Sequence, residues 1–179
     1  MNTQTIGLAA AASAAALGGA LTPAAAQSAP DIVFGIEDTD QDGTADGFSS
    51  SGLADAVSDR FTERRTFSEF SLASATGAVD IALFEGTIDE SFSFGFGPTP
   101  AELAFEVYAA NGASDLTDWD ASGVSIGSVT LADDFDSQAF SFDASTAVQD
   151  LIDGGATHAG LRVRSLTSGI GQVDVLDTT

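Results

Sequence analysis

The sequence predicts an all-β fold: an antiparallel β-sandwich with one or two short helices, preceded by a signal peptide. Bulky apolar residues recur at every second position through most of the chain, the period of a strand with one buried face. Turn-forming clusters interrupt those runs at Asn111-Gly112, Ser122-Gly123, Gly154-Gly155 and Ser168-Gly169. Only two segments depart from period two, and both are short, as in sandwiches and barrels.

In chain order, residues 6–21 form an unbroken apolar and small-residue run. A membrane span needs about 18 or more apolar residues, so this run suits the apolar region of a secretory signal. Ala24 and Ala26 make an A-x-A cleavage site, which places the cut after Ala26. Against this, the first five residues hold no Lys or Arg; an Ala-rich surface helix or an irregular start is the alternative. Cleavage leaves about 153 residues, enough for one domain that buries roughly 68–70% of its unfolded surface. Residues 27–179 are expected to be that domain, with a first strand and an acidic loop in 27–56 and the rest of the sandwich in 57–179.

Strands are expected at 32–36, 66–72 and 79–84. Phe92, Phe94 and Phe96 alternate with Ser91, Ser93 and Gly95, which puts three rings on one strand face. Leu103, Phe105 and Val107 make the next strand, and Val124, Ile126 and the Val129–Leu131 pair another. Phe140 with Phe142, Leu161 with Val163, and Val173 with Val175 complete the set. Residues 114–121 read as one short helical turn capped by Ser114 or Asp115. Residues 143–153 read as a helix capped by Asp143 or Ser145, with Ala147, Val148, Leu151 and Ile152 on its apolar face and Gly154-Gly155 ending it.

All 27 acidic and all 5 basic residues lie beyond the signal, so the exported part keeps the net charge of −22. There is no Lys; the cations are Arg60, Arg64, Arg65, Arg162 and Arg164. Such a field repels nucleic acid and anionic membrane surfaces, and it favours bound cations. With no Cys, stability has to come from core burial rather than disulfides, with metal as a candidate addition. No second apolar span follows the signal, so no transmembrane anchor is expected. The expected location is secreted or extracellular, with the periplasm and the cell surface as alternatives.

The sharpest chemical signal is Asp38-Thr39-Asp40-Gln41-Asp42-Gly43-Thr44-Ala45-Asp46. Acids at positions 1, 3, 5 and 9 with Gly at 6 match the first part of the EF-hand spacing. A calcium ion wants 6–8 oxygens, and alternate residues of a tight loop can aim theirs at one point. Asp38, Asp40, Asp42 and Asp46, with the Thr44 carbonyl, are the expected ligands. Position 12 is Ser49 rather than Glu, position 8 is Ala45, and no helix flanks the loop, so it is not an EF-hand. It resembles the DxDxDG loops of extracellular calcium modules, including thrombospondin type 3 repeats; extracellular sites bind with Kd on the order of 10⁻⁴–10⁻³ M. The plain alternative is an Asp/Gly surface turn whose acids cap their own backbone.

Weaker candidates follow. Asp115, Asp118 and Asp120 can be read as a second cation site or as helix caps. Asp133, Asp134 and Asp136 read as an exposed turn, and His158 as an isolated exposed residue. Tyr108 and Trp119 can stack on a sugar ring or pack in the core. Arg64 and Arg65 have Glu63 and Glu69 as candidate cross-strand partners, and Arg162 and Arg164 lie on one strand face. The sequence predicts no enzyme: there is no thiol, no P-loop, no dinucleotide fingerprint, and no G-x-S-x-G before a helix.

The stretches ERRTFSEFSLAS, LAFEVYAANGASDLTDWDASGVSIGSV and FDASTAVQDLIDGGATHAGLRVRS carry a family likeness. Over roughly residues 57–176 the chain resembles the DNRLRE-type domains of secreted bacterial proteins, which are related to carbohydrate-binding modules. The shared features are an early strand with Arg and a Glu-Phe core, and a late helix ending in Gly before a G-[LF]-x-[LV]-R strand, here Gly160-Leu161-Arg162-Val163-Arg164. The resemblance implies a jelly-roll sandwich and glycan binding, but transfers no ligand residue. The chain is also similar to exported PEP-CTERM-type proteins. Their Pro-Glu-Pro-like motif, apolar span and basic residues do not follow Asp177, which leaves release or a lost tail as the alternatives. The expected function is a secreted, calcium-stabilised, non-catalytic module recognising extracellular polysaccharide. The alternative is a structural matrix or cell-surface protein with calcium-dependent self-association.

Overall fold

A computed structural model describes residues 7–10, 29–49, 55–58, 62–75, 77–91, 101–131, 138–167 and 173–176. Apart from a four-residue strand at Gly7–Ala10, residues 1–26, where the sequence leads one to expect a signal, lie outside these residues, as do the Phe92, Phe94 and Phe96 triplet and the Asp133, Asp134 and Asp136 turn.

The strands are β1 (Gly7–Ala10), β2 (Ile32–Asp38), β3 (Gly47–Phe48), β4 (Asp55–Ser58), β5 (Glu63–Ser71) and β6 (Ala82–Ser91). There follow β7 (Ala101–Ala110), a 3-10 turn (Leu116–Asp120), β8 (Gly123–Leu131), β9 (Gln138–Asp143), helix α1 (Ser145–Asp153), β10 (His158–Ser165) and β11 (Val173–Leu176). They build two antiparallel sheets, as the period-two pattern predicts. The first has β9 on one side of β6, with β1 and β11 on the other side and β4 beyond β11. The second runs β3-β2-β5-β10-β7-β8. β4 also pairs with Glu63 and Arg64 at the start of β5, which joins the sheets at one corner. Among the described residues no helix is long and apolar enough to cross a membrane.

Alternation sorts the side chains of the second sheet. Paired residues share a face, so Phe70, Leu103, Phe105, Val107, Ala159, Leu161 and Val163 point the same way. They meet Phe84, Ile88 and Phe140 of the first sheet, with Val148 of α1, in the larger core. Phe105 lies 4.6 Å from Phe140 and 4.9 Å from Phe142, centroid to centroid, a ring packing that adds to area burial. β8 changes phase inside this arrangement. Its partner residues skip Ile126 between Phe105 and Glu106, a bulge that flips the alternation. The skipped residue keeps Val124, opposite Val107, on the same face as Val129 and Leu131; Val124 is exposed at the start of this edge strand, while Val129 and Leu131 are buried.

Helix α1 begins two residues later than the sequence suggests. Ala144 is its N-cap and gives no side-chain bond; Asp143 instead accepts from the Ser145 N–H and hydroxyl. Ala147 and Val148 are buried, Leu151 and Ile152 partly so, and Gly155 at φ +77° ends the helix. Residues 79–81 are not strand; that strand starts at Ala82.

Gly127 lies under the Phe142 ring, and a Cβ there would meet it at 2.2 Å. Gly127→Ala is expected to destabilise the fold by about 1–3 kcal/mol through overpacking, lowering the thermal midpoint by several degrees. An unchanged midpoint would show that the ring is free to move.

Candidate metal centre

The 38–46 segment is the connection between β2 and β3. Ile36 pairs with Phe48 and Glu37 with Gly47, and the Asp46 N–H donates to the Glu37 carbonyl at 2.9 Å. Asp38 sits at the end of β2 with no solvent exposure. Its Oδ1 accepts from the Gln41 N–H at 2.6 Å and the Asp40 N–H at 3.3 Å, and its Oδ2 from the Gly43 N–H at 2.8 Å. Asp40 accepts from the Asp42 N–H at 3.2 Å, and Asp42 from the Thr44 N–H at 2.8 Å. The chain thus coils around its own carboxylates, with Gln41 at φ +57° and Gly43 at φ +92° making the turns.

This coil brings together Asp38, Asp40 and Asp42: one carboxylate oxygen from each lies within 4.8 Å of the other two. Asp38 is buried and the other two are exposed, so the group is anchored at its base and open above. Asp46 is placed differently. Its Oδ2 accepts from the Thr39 N–H at 2.7 Å and hydroxyl at 2.6 Å, closing the loop. Those two bonds hold the Asp46 pKa below the ordinary carboxylate value. Of the five expected ligands, three carboxylates converge, and Asp46 serves as the clasp. Thr44 is exposed, and its N–H donates to Asp42.

The loop rests on a second core. Phe34, Ile36, Phe67 and Tyr108 project from the face of the second sheet that is turned away from the larger core, with Trp119 over them. Phe67 stacks on Phe34 at 5.2 Å and meets Tyr108 edge-on at 6.1 Å. Tyr108 and Trp119 are each 1% exposed, so both rings pack in the core, the alternative to the sugar-stacking reading. Their polar atoms are used internally, the Tyr108 hydroxyl on Glu69 at 3.2 Å and the Trp119 indole N–H on the Gly43 carbonyl at 3.0 Å.

Two arginines hold the turn that carries Trp119. Arg162 Nη1 donates to the carbonyls of Asp118, Trp119 and Ala121 at 3.2, 2.7 and 3.1 Å. Arg65 Nη1 donates to the same Trp119 carbonyl at 2.9 Å, and its guanidinium lies 3.7 Å from the indole centroid. Glu106 takes Arg162 at 2.5 Å and Arg164 at 3.1 Å. Burial pushes the Glu106 pKa up, but the hydrogen bonds and charge of Arg162, then of Arg164, bring it below the ordinary value. Arg64 pairs across strands with Glu37 at 3.1 Å, and Arg65 with Glu63 of its own strand at 2.7 Å. Glu69 was expected to pair with these arginines; it is fully buried and accepts from the Gly112 N–H at 2.7 Å and from Tyr108.

Asp115, Asp118 and Asp120 do not gather as ligands among the described residues. Asp115 and Asp118 form a capping box on the 3-10 turn, the alternative reading of these acids. His158 is partly buried against Gly112 rather than isolated at the surface. Residues 123–127 spell G-x-S-x-G, but they lie inside β8, not at a strand-to-helix elbow. Sequence reasoning missed Arg162 and Arg65 as anchors of Trp119. The available signal was β5, where Phe67 and Phe70 fall on opposite faces and so require burial on both. No protein-family profile matches the chain, and no curated protein does.

The buried carboxyls make stability depend on pH in an uncommon direction. Burial, then the charges of Glu69 and Asp115, push the Asp118 pKa from 3.8 to about 6, against the opposing charge of Arg162. Burial also raises Glu69, opposed by Gly112, Tyr108 and His158. A carboxyl with a raised native pKa binds more protons folded than unfolded between the two values, so lowering the pH through that window stabilises the fold. Stability is therefore expected to rise as pH falls from 7 toward about 5. It should then drop below about 4, where the depressed carboxyls Asp46, Asp115, Asp143 and Glu106 lose their contribution. Urea unfolding at a series of pH values checks this. Asp118→Asn should be more stable than wild type at pH 7 and should flatten the rise; a wild-type stability that only declines below pH 7 contradicts the assignment.

Proposed function

We propose that this protein is an exported, non-catalytic β-sandwich module whose 38–46 loop binds calcium, with Asp38, Asp40 and Asp42 as its carboxylate ligands. The observation that carries the reading is the convergence of those three carboxylates within 4.8 Å. Two unit charges about 4 Å apart repel by about 1 kcal/mol even at the dielectric constant of water, and one divalent ion reverses that term for each pair. Calcium suits oxygen-only donors and tolerates irregular geometry.

The exposed side of the loop supports a binding role. Three carboxylates fall short of the 6–8 oxygens calcium takes, and Asp40 and Asp42 face solvent. The remaining positions are open to water, to a sugar hydroxyl or to an acid from another molecule. Polysaccharide as the partner draws its support from the likeness to DNRLRE-type domains, and export from the residue 6–26 layout. A non-catalytic role accords with the internal bonding of the groups with raised pKa: Glu69 and Tyr108 bond each other, and Asp118 caps its own turn. The same open loop on a chain of net charge −22 also favours the second reading, a matrix or surface protein that calcium links into assemblies.

Thermal unfolding of the purified chain in EDTA and in millimolar calcium, at fixed ionic strength, tests the metal. Calcium at 100 times its Kd should add about 2.7 kcal/mol, a shift of several degrees. Asp40→Ala with Asp42→Ala should abolish it. No shift at about 10 mM calcium, tenfold above the weak end of such sites, would remove the metal reading. Saturable retention on a glycan in calcium then favours the binding module, and calcium-dependent sedimentation of the chain alone favours the matrix protein.

A further inference from the structure

The loop that gathers Asp38, Asp40 and Asp42 touches a residue 76 positions away in sequence. The Trp119 indole N–H donates to the Gly43 carbonyl at 3.0 Å. Gly43 is the turn residue whose own N–H binds Asp38 Oδ2. One residue thus holds the buried carboxylate with its N–H and the indole with its carbonyl. The indole itself has little freedom. It is 1% exposed, it lies against the Arg65 guanidinium, and its own carbonyl is bonded by Arg65 and Arg162.

We propose that Trp119 is the positioning residue of the 38–46 loop: through Gly43 it fixes the loop to the second core, so that the order of the three carboxylates and their affinity for calcium are set by the 3-10 turn. The affinity half of this rests on the calcium reading above; the positioning half does not. Linkage makes the coupling reciprocal. If the indole bond strengthens calcium binding, calcium strengthens the indole bond by the same factor. A single neutral hydrogen bond sets the scale, about 3- to 10-fold in an equilibrium constant.

Trp119 is the sole tryptophan, so the chain gives one indole N–H signal. Amide and indole hydrogen exchange of the full chain in EDTA tests the positioning without metal. Trp119→Phe keeps an aromatic ring and removes the donor; the smaller ring also loses packing, and the core amides report that loss. It should speed exchange of the Gln41 and Gly43 N–H about 3- to 10-fold while core amides such as Phe105 and Leu161 keep their rates. Unchanged exchange at Gln41 and Gly43 overturns the positioning. A uniform rise at loop and core alike overturns it too, because that is general destabilisation. Calcium titration supplies the second arm. In wild type, calcium should slow exchange of the indole N–H, a measurement that needs no variant, and Trp119→Phe should bind about 3- to 10-fold more weakly. Equal affinity in both proteins overturns the coupling. No calcium binding in wild type removes the metal reading and with it the affinity half, and leaves the exchange result to decide the positioning.

Discussion

Arg162 stands on β10, between β5 and β7 in the second sheet, with its guanidinium on the face opposite the larger core. Its Nε and Nη2 grip Glu106 Oε2 at 2.9 and 2.5 Å, and its Nη1 reaches three backbone carbonyls of the 3-10 turn and its exit. That side chain converts the outer face of a sheet into an interior. Without it the turn has Arg65 as its other charged tether, and Phe34, Ile36, Phe67 and Tyr108 lack a fixed roof. Removing one partner of a buried ion pair costs about 3–5 kcal/mol, since the other charge is left in a low-dielectric site. Here Glu106 retains Arg164, which is more exposed and holds it at 3.1 Å.

The chain has 5 basic residues against 27 acidic ones, and two of the described arginines, Arg65 and Arg162, are placed where each meets more than one acceptor. Arg65 serves Glu63, the Trp119 carbonyl and the indole face. Glu106 is shared by two guanidiniums. A planar fork that stays charged suits these shared geometries, which fits the use of Arg and the absence of Lys. The acids left over divide by setting. Asp115 and Asp143 cap turns; Glu69 and Asp118 are buried with raised pKa values; Asp38, Asp40 and Asp42 converge on one point. The convergent group stands on the second core through Trp119 and Gly43, so a single chain of contacts runs from Arg162 to the loop.

Much of the fold was legible because strand alternation is a local property. Leu103, Phe105 and Val107 announce a buried face without reference to any partner, and the change of phase between Ile126 and Val129 in β8 marks the bulge. The helix 145–153 was legible from its apolar face and its closing glycines. The second core was less so. Tyr108 and Trp119 look amphipathic in isolation, and only the register of β5, β10 and β7 shows that Glu69, Gly160 and Tyr108 share a face. In the site, the spacing of Asp38, Asp40 and Asp42 foretold their convergence because a turn of that length brings alternate residues together. It could not separate Asp46 from them, since the competing acceptor role toward Thr39 depends on how the β2–β3 hairpin closes.

The most direct test of the account is acrylamide quenching of Trp119 fluorescence in wild type and in Arg162→Met, each checked by far-UV circular dichroism. Methionine keeps the side-chain length and apolar contact while removing the bonds to the turn. The account predicts a shielded indole in wild type, and in the variant an indole that quencher reaches while the β signal persists. An indole equally shielded in both proteins, with the fold intact, would mean that Arg162 does not hold the roof and that the second core closes by apolar packing alone.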